Sequence, residues 1–237
     1  MSIGLVAALP VEIRCLTRQG IKFNIPFRIN NTLTIIISGI GARHAEKAAE
    51  LLLYENINGL LSWGTAAGLV NKLHSGDLLL PEQILDSKGN RYNADNNLIN
   101  EIKKLLENTD IRIHNGVLVE TTSILKSPEQ KTGLAATTGA IAADMETAAI
   151  MRVAKRNHLP CGVIRTIVDE AQDILPSEII RHTDVFGKPD IMKIVNEIFF
   201  KPSLIPRLYH LAGAMHAATG TLDKIAHQTS DLSLQSA

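Results

Sequence analysis

Aromatic residues are scarce in this chain, at 4% of its 237 positions, with a single tryptophan. A row of aromatic platforms for stacking successive nucleobases is therefore excluded. A basic surplus is missing too: 24 Lys and Arg balance 24 Asp and Glu, so nucleic acid is not an expected partner. The only two cysteines, Cys15 and Cys161, both lie in apolar runs. That excludes a disulfide framework and reads as buried reduced thiols in a cytoplasmic protein. No stretch approaches the roughly 20 uncharged apolar residues of a membrane span. The apolar start, MSIGLVAALPVEIRC, lacks a basic flank and is broken by Pro10 and Glu12. It reads as a first strand, not a signal peptide or an anchor. The eight histidines are scattered, with no HExxH and no Cys–His cluster, so neither a metal nor a cofactor is expected. A P-loop and a GxSxG elbow are also lacking.

What is present is an ordinary globular composition, 45% hydrophobic and 20% charged, with strand and helix patterns in alternation. Ile3 to Leu9 is a continuous apolar run, as expected of a strand buried on both faces, and Pro10 suits the first turn of a helix reaching Gly20. Phe23–Ile29 and Leu33–Ile37 flank Asn30-Asn31 and predict a hairpin. Asn58–Trp63 and Ile111–Val119 predict further strands. Residues 64–68 and 86–97 read as loops. Ser127-Pro128 predicts a capped helix start. After Asp169 the pattern is helical, over 191–200, 202–218 and 220–227. The whole predicts one domain over 1–237: an α/β three-layer sandwich, its central sheet mixed and largely parallel, with helices on both faces. The helical segment 189–228 belongs to it, and 229–237 reads as a frayed tail.

The chemistry concentrates in AIAADMETAAIMRVAKRNHLPCGVIRTIVDEA, residues 140–171. One strand ends in Asp144-Met145-Glu146 and the next in Asp169-Glu170. In open α/β sheets ligands bind at such strand ends. Pro10–Glu12, Gly39–Arg43, Gly64–Gly68 and Glu120–Ser123 end other strands and would converge on the same rim. The glycine-rich turns at 39–41 and 64–68 can offer backbone N–H groups to an anion. GIGARH departs from GxGxxG, which argues against a dinucleotide. Paired carboxylates beside anion-binding loops suit cleavage of a glycosidic bond through an oxocarbenium-like state. Each acid also has a plainer reading: Asp169 as a cap, Glu146 as a charge in a helix's first turn, and Glu12 as a surface residue. Arg165 should share a strand face with Asp169 and pair with a carboxylate.

Five features in order, IGLVAALPVEI, SGIG, SWGTAAGL, AADMETAAI and VIRTIVDEA, resemble the purine nucleoside phosphorylase and methylthioadenosine/S-adenosylhomocysteine nucleosidase superfamily over nearly the whole chain. ILKSPEQKTGLAATTGAIAADMET, Leu175-Pro176 and FFKPSLIPRLYHLAGAMHAA are similar to its hopanoid-associated phosphorylase branch. The resemblance implies cleavage of a purine nucleoside, adenine the expected base, with a bulky or apolar 5′ substituent. Asp169 would be the acid on purine N7, and Glu12 would orient the nucleophilic water in a nucleosidase. The implied substrate-binding residues are Glu146 on the ribose hydroxyls, Met145 on the sugar, and Ile124, Thr65, Gly64 and Val119. The branch implies phosphorolysis, with phosphate as co-substrate held by Thr65, Arg43 or Arg14. The alternatives are a hydrolytic nucleosidase and a nucleoside-binding protein that has lost catalysis. A homo-oligomer, dimer or higher, is expected. Residues 191–218 would line an apolar channel, contact a membrane surface, or pack on the sheet or a subunit interface. Three departures bear on chemistry. Ile124 stands where nucleosidases place an aromatic, Val168 replaces a serine, and Ser62 stands where some phosphorylases have a phosphate-binding arginine.

Overall fold

The computed structural model describes residues 2–188 and 190–233; among these, no side chain is described at 179, 195 or 229–233. The chain begins with β1 (Ile3–Ala7), β2 (Phe27–Arg28), β3 (Leu33–Ile37), α1 (Ala42–Leu52) and β4 (Gly59–Gly68). Three short strands follow, β5 (Leu78–Leu79), β6 (Gln83–Leu85) and β7 (Arg91–Asn93), and then α2 (Asn96–Leu106), β8 (Ile113–His114) and β9 (Val117–Glu120). Next come α3 (Pro128–Thr138), β10 (Ala142–Asp144), α4 (Thr147–Arg156) and β11 (Cys161–Asp169). The chain closes with α5 (Ser177–Arg181), α6 (Ile191–Phe200) and α7 (Leu204–Ser233).

The strands form one mixed sheet in the order β2-β3-β1-β4-β10-β9-β6-β7, with β11 along the other edge of β4 and β5 and β8 beyond it. The side chains of β1 and β3 are buried on both faces, which is why these strands read as unbroken apolar runs. Helices α1 and α4 pack together on one face through Ala45, Ala48, Ala49, Ala148, Ala149 and Val153, all buried. Such small side chains let the two helices approach closely. On the other face lie α2 and α7, whose Leu222 and Ile225 are fully buried. The expected three-layer α/β sandwich is therefore present.

One detail of the sheet positions the site. Along one edge β4 pairs first with β1, in parallel, up to Trp63, and then with β10, antiparallel, from Ala67. Between them Gly64, Thr65 and Ala66 have no strand partner on that edge. This gap is a topological switch point, and ligands in open α/β sheets bind at such points.

Four local expectations need correcting. Residues 64–68 continue β4 instead of forming a loop, because β11 pairs with 64–67 and β10 with 67–68. The helix expected after Pro10 is a short 3-10 turn, Pro10–Ile13. It is held back by the Glu12 side chain, which accepts the N–H groups of Ala8 and Leu9. Part of the expected 86–97 loop is strand β7, paired with β6. The two helices expected at 202–218 and 220–227 are one, α7, which also includes 229–233. Glycine costs a helix only about 1 kcal/mol relative to alanine, and Ala218 and Leu222, both fully buried, secure the turns beside Gly220. The rest of the expected frayed tail, 234–237, lies outside the described residues.

Candidate active site

The switch point opens into a cleft of about 240 Å³. Its polar wall is Glu12, Thr65, Thr121, Asp144, Glu146 and Asp169; its apolar wall includes Leu9, Ile40, Ile124, Leu125, Met145, Val168, Leu175 and Met215. A polar hollow of about 470 Å³ adjoins it, sharing Thr121 and Met145 and holding Asp86, Glu120 and Arg152. A further hollow of about 420 Å³, between α2 and the sheet, is mostly apolar and shares no residue with the cleft. The convergent carboxylates make the cleft the chemical site.

Glu12 sits in the sheet gap. Its Oε1 accepts the Thr65 N–H at 2.9 Å and the Thr65 hydroxyl at 2.9 Å. Its Oε2 accepts the N–H groups of Leu9 at 2.9 Å and Ala8 at 3.1 Å. The carboxylate thus takes the N–H that strand pairing leaves free at Thr65. Gly64 makes room: a Cβ there would lie 2.6 Å from Glu12 Oε1. The Glu12 carbonyl is held in turn by the indole N–H of Trp63 at 2.8 Å. Burial pushes the Glu12 carboxyl above the usual range, against the opposing charge of Arg165 and the hydrogen bonds from Leu9 and Thr65.

Because β10 runs antiparallel to β4, its end delivers Asp144, Met145 and Glu146 back toward the gap. Asp144 accepts from the Thr147 N–H at the start of α4 and forms a buried ion pair with Arg165 at 2.8 Å. Arg165 also donates to the hydroxyls of Ser62 at 2.7 Å and Thr147 at 2.8 Å. That network locks β10, α4, β4 and β11 together, and Asp144 is spent on it. Glu146 is left to the cleft. Its Oε1 accepts the Gly41 N–H at 2.6 Å, and its Oε2 the Met145 N–H at 3.2 Å. Gly41 has φ 103°, a conformation that favours glycine. Burial first, then the charge of Asp144, push the Glu146 carboxyl up.

Asp169 ends β11 after a bulge at Val168. The bulge breaks the alternation that would put Arg165 and Asp169 on one face. Arg165 engages Asp144, whereas Asp169 meets Lys131, whose Nζ lies 2.5 Å from Oδ2. Bulges near functional sites commonly re-aim side chains in this way. Burial raises the Asp169 carboxyl above its ordinary value, and the Lys131 charge opposes that shift.

The structure thus brings Glu12, Thr65, Ile124, Met145, Glu146 and Asp169 together, with Gly64 directly behind Glu12. It does not bring in three others. Val119 faces a small separate cluster with Leu69, Leu85, Ala140 and Ala143. Arg14 is exposed and lines a different groove with Ile13, Thr17 and Ile21. Arg43 is exposed on α1 and does not line the cleft. The Gly41 turn and the Thr65 N–H of β4 do hold anions, but these are the chain's own: Glu146 at Gly41 and Glu12 at Thr65. Among the described residues of 191–218, only Met215 lines the cleft; Ile191, Met192, Phe199 and Phe200 are exposed. Sequence reasoning did not single out Met215, Leu175 or Lys131 as site residues, although all three lie in the segments that carry the branch resemblance.

Fold and site together define an α/β protein with an acid-lined cleft at a sheet switch point. A sequence model of the phosphorylase superfamily matches residues 3–186, and the chain belongs to that superfamily. It is 22% identical to a 5′-methylthioadenosine/S-adenosylhomocysteine nucleosidase of Oceanobacillus iheyensis, covering 84% of this chain and 99% of that protein. Its fold is shared with futalosine hydrolase of Helicobacter pylori (TM-score 0.71, 18% identity, 97% of each chain). It is shared equally with the 5′-methylthioadenosine/S-adenosylhomocysteine nucleosidase of Neisseria meningitidis, solved with methylthio-immucillin-A. There the TM-score is 0.71 and the identity 18%, over 96% of this chain and 97% of that one.

Proposed function

We propose that this protein cleaves the N-glycosidic bond of a purine nucleoside, and that water is the nucleophile. The observation that carries the choice of water is the occupancy of the two anion-holding backbone sites, at Gly41 and Thr65. Both are filled by carboxylates, Glu12 and Glu146, and none of the described cleft-lining residues is Lys or Arg. A phosphate dianion would face two acids with no cation in the wall. Phosphorolysis, implied by the branch resemblance, therefore becomes the lesser reading.

In the hydrolytic reading Glu146 accepts hydrogen bonds from the ribose hydroxyls, and Met145 packs on the sugar. Asp169 protonates the departing purine. Its burial suits this task, because it raises the carboxyl above its usual range, the direction a general acid needs. Glu12 orients the water. Its four lone-pair positions are filled in the free protein, and the Thr65 hydroxyl is the one donor able to rotate away. Water takes that place and attacks C1′ as the bond to the base breaks, passing a proton to the Glu12 carboxylate. The apolar wall of Leu9, Ile40, Leu175 and Met215 suits an apolar 5′ substituent. Adenine is the base favoured by the names of the nucleosidase relatives.

The test is base release from adenosine, 5′-methylthioadenosine and S-adenosylhomocysteine, with and without phosphate. Hydrolysis gives phosphate-independent rates and a free sugar. A sugar 1-phosphate product would overturn it. Tight nucleoside binding without turnover would point to a binding protein instead.

A further inference from the structure

The one wholly buried residue of α3 is a lysine. Fully enclosed lysines are rare and need partners. Lys131 has three. Its Nζ donates to the carbonyls of Glu170 at 2.5 Å and Asp173 at 3.2 Å, and lies 2.5 Å from Oδ2 of Asp169. The contact with Asp169 is an ion pair by distance, although Oδ2 makes no directed hydrogen bond. The carbonyls belong to the turn directly after β11, which is closed by the Glu170 N–H on Asp173 Oδ2 at 2.7 Å. Lys131 thus ties the base of α3 to the end of the strand that carries Asp169. Other charged groups around that turn have their own partners: His210 lies 2.9 Å from Asp173, and His74 lies 3.3 Å from Glu170.

Resting on the reading of Asp169 as the acid, we propose that Lys131 is a positioning residue for protonation of the leaving base. It anchors one oxygen of Asp169, leaves the other to the cleft, and stabilises the negative charge Asp169 acquires. In the reaction the C1′–N bond breaks and its electron pair moves into the purine. A proton passes from the Asp169 carboxyl to a ring nitrogen, so the base departs neutral. Asp169 is left as a carboxylate beside the Lys131 ammonium, which keeps its protons. Without that ammonium, a carboxyl buried in an apolar wall would release its proton reluctantly.

The experiment compares two substrates in Lys131→Met and Lys131→Gln. Gln retains a donor for the two carbonyls and removes only the charge, so it serves if Met does not fold. The first substrate is whichever purine nucleoside the wild type cleaves best among the three above. The second is 4-nitrophenyl β-D-riboside, whose leaving group needs no protonation. The expected result is a kcat loss of about 10–100-fold on the nucleoside, smaller than the roughly 10²–10⁴-fold of losing the general acid itself, and little loss on the nitrophenyl riboside. The alkaline limb of kcat/KM should move up by about 1–3 pH units, the usual effect of losing an adjacent cation. Equal losses on both substrates, or an unmoved limb, would overturn the proposal. Asp169→Asn separates the two levels: if it cleaves the nucleoside as fast as wild type, the reading of Asp169 fails. If it is inactive while both Lys131 variants match wild type, only the role of Lys131 fails.

Discussion

Four carboxylates line one cleft, and each is restrained by different means: Glu12 by backbone N–H groups, Asp144 by Arg165, Glu146 by Gly41, Asp169 by Lys131. The restraints predict different behaviour. Asp169→Asn keeps the shape but cannot donate the proton, and turnover should fall about 10²–10⁴-fold in a base-release assay. Glu146 makes a pH prediction. Its carboxyl is pushed up to about 8 from an ordinary 4.5, first by burial and then by Asp144. A group raised on folding stabilises the fold fully below its unfolded value, and that stability is lost as pH rises through the folded value. Thermal melts should therefore show Tm falling as pH rises from about 5 to about 8 and levelling off above, with a flatter slope in Glu146→Gln. In the proposed reading the ribose hydroxyls need the ionised form of Glu146, so nucleoside binding near neutral pH should release a proton. Calorimetry in two buffers of different ionisation enthalpy detects this; equal heats would count against it.

At the scale of elements, the site depends on a strand end left unpaired and a helix sent across the sheet. Gly64 is where β4 loses its partner and Glu12 takes over. Gly64→Ala places a Cβ against a carboxylate that four hydrogen bonds hold still. Such overpacking costs about 1–3 kcal/mol, and Tm should drop about 2–4 °C per kcal/mol. Activity should fall further than Tm suggests, since Glu12 itself is displaced. The helix α7 contributes twice. Ala218, Leu222 and Ile225 fill the core beside β11, and Met215 reaches the cleft. A chain ending at residue 203 should lose cooperative melting by circular dichroism. Met215→Ala alone should keep the fold and raise KM for 5′-substituted nucleosides more than for adenosine.

At the scale of the whole molecule, charge is balanced and the exposed apolar side chains are unevenly spread. Phe199, Phe200, Ile191, Met192 and Tyr209 lie on α6 and the start of α7. Among the described residues no helix is long and apolar enough to cross a membrane. The stability of the sheet and the chemistry of the cleft pull in opposite directions. Glu12, Glu146 and Asp169 are all buried with raised carboxyls, so the free protein is less stable at neutral pH than it would be with these groups neutral. That cost supports pre-placed acids, which need no reorganisation when the reaction begins.

The sequence by itself determined the elements and the acids. Apolar runs placed β1, β3 and β11, small residues marked α1 and α4, and Glu12, Glu146 and Asp169 stood at strand ends. These signals are local: side-chain period, caps and chain order. Only the tertiary structure decided how the acids are held. Strand pairing turned residues 64–68 from a loop into β4 and left the one gap that Glu12 fills. The bulge at Val168 separated Asp169 from Arg165, and folding carried Lys131 across 38 positions to meet it. A lysine in the first turn of a helix ordinarily faces water. Its role here depends on a partner distant in the chain, and only packing brings the two together.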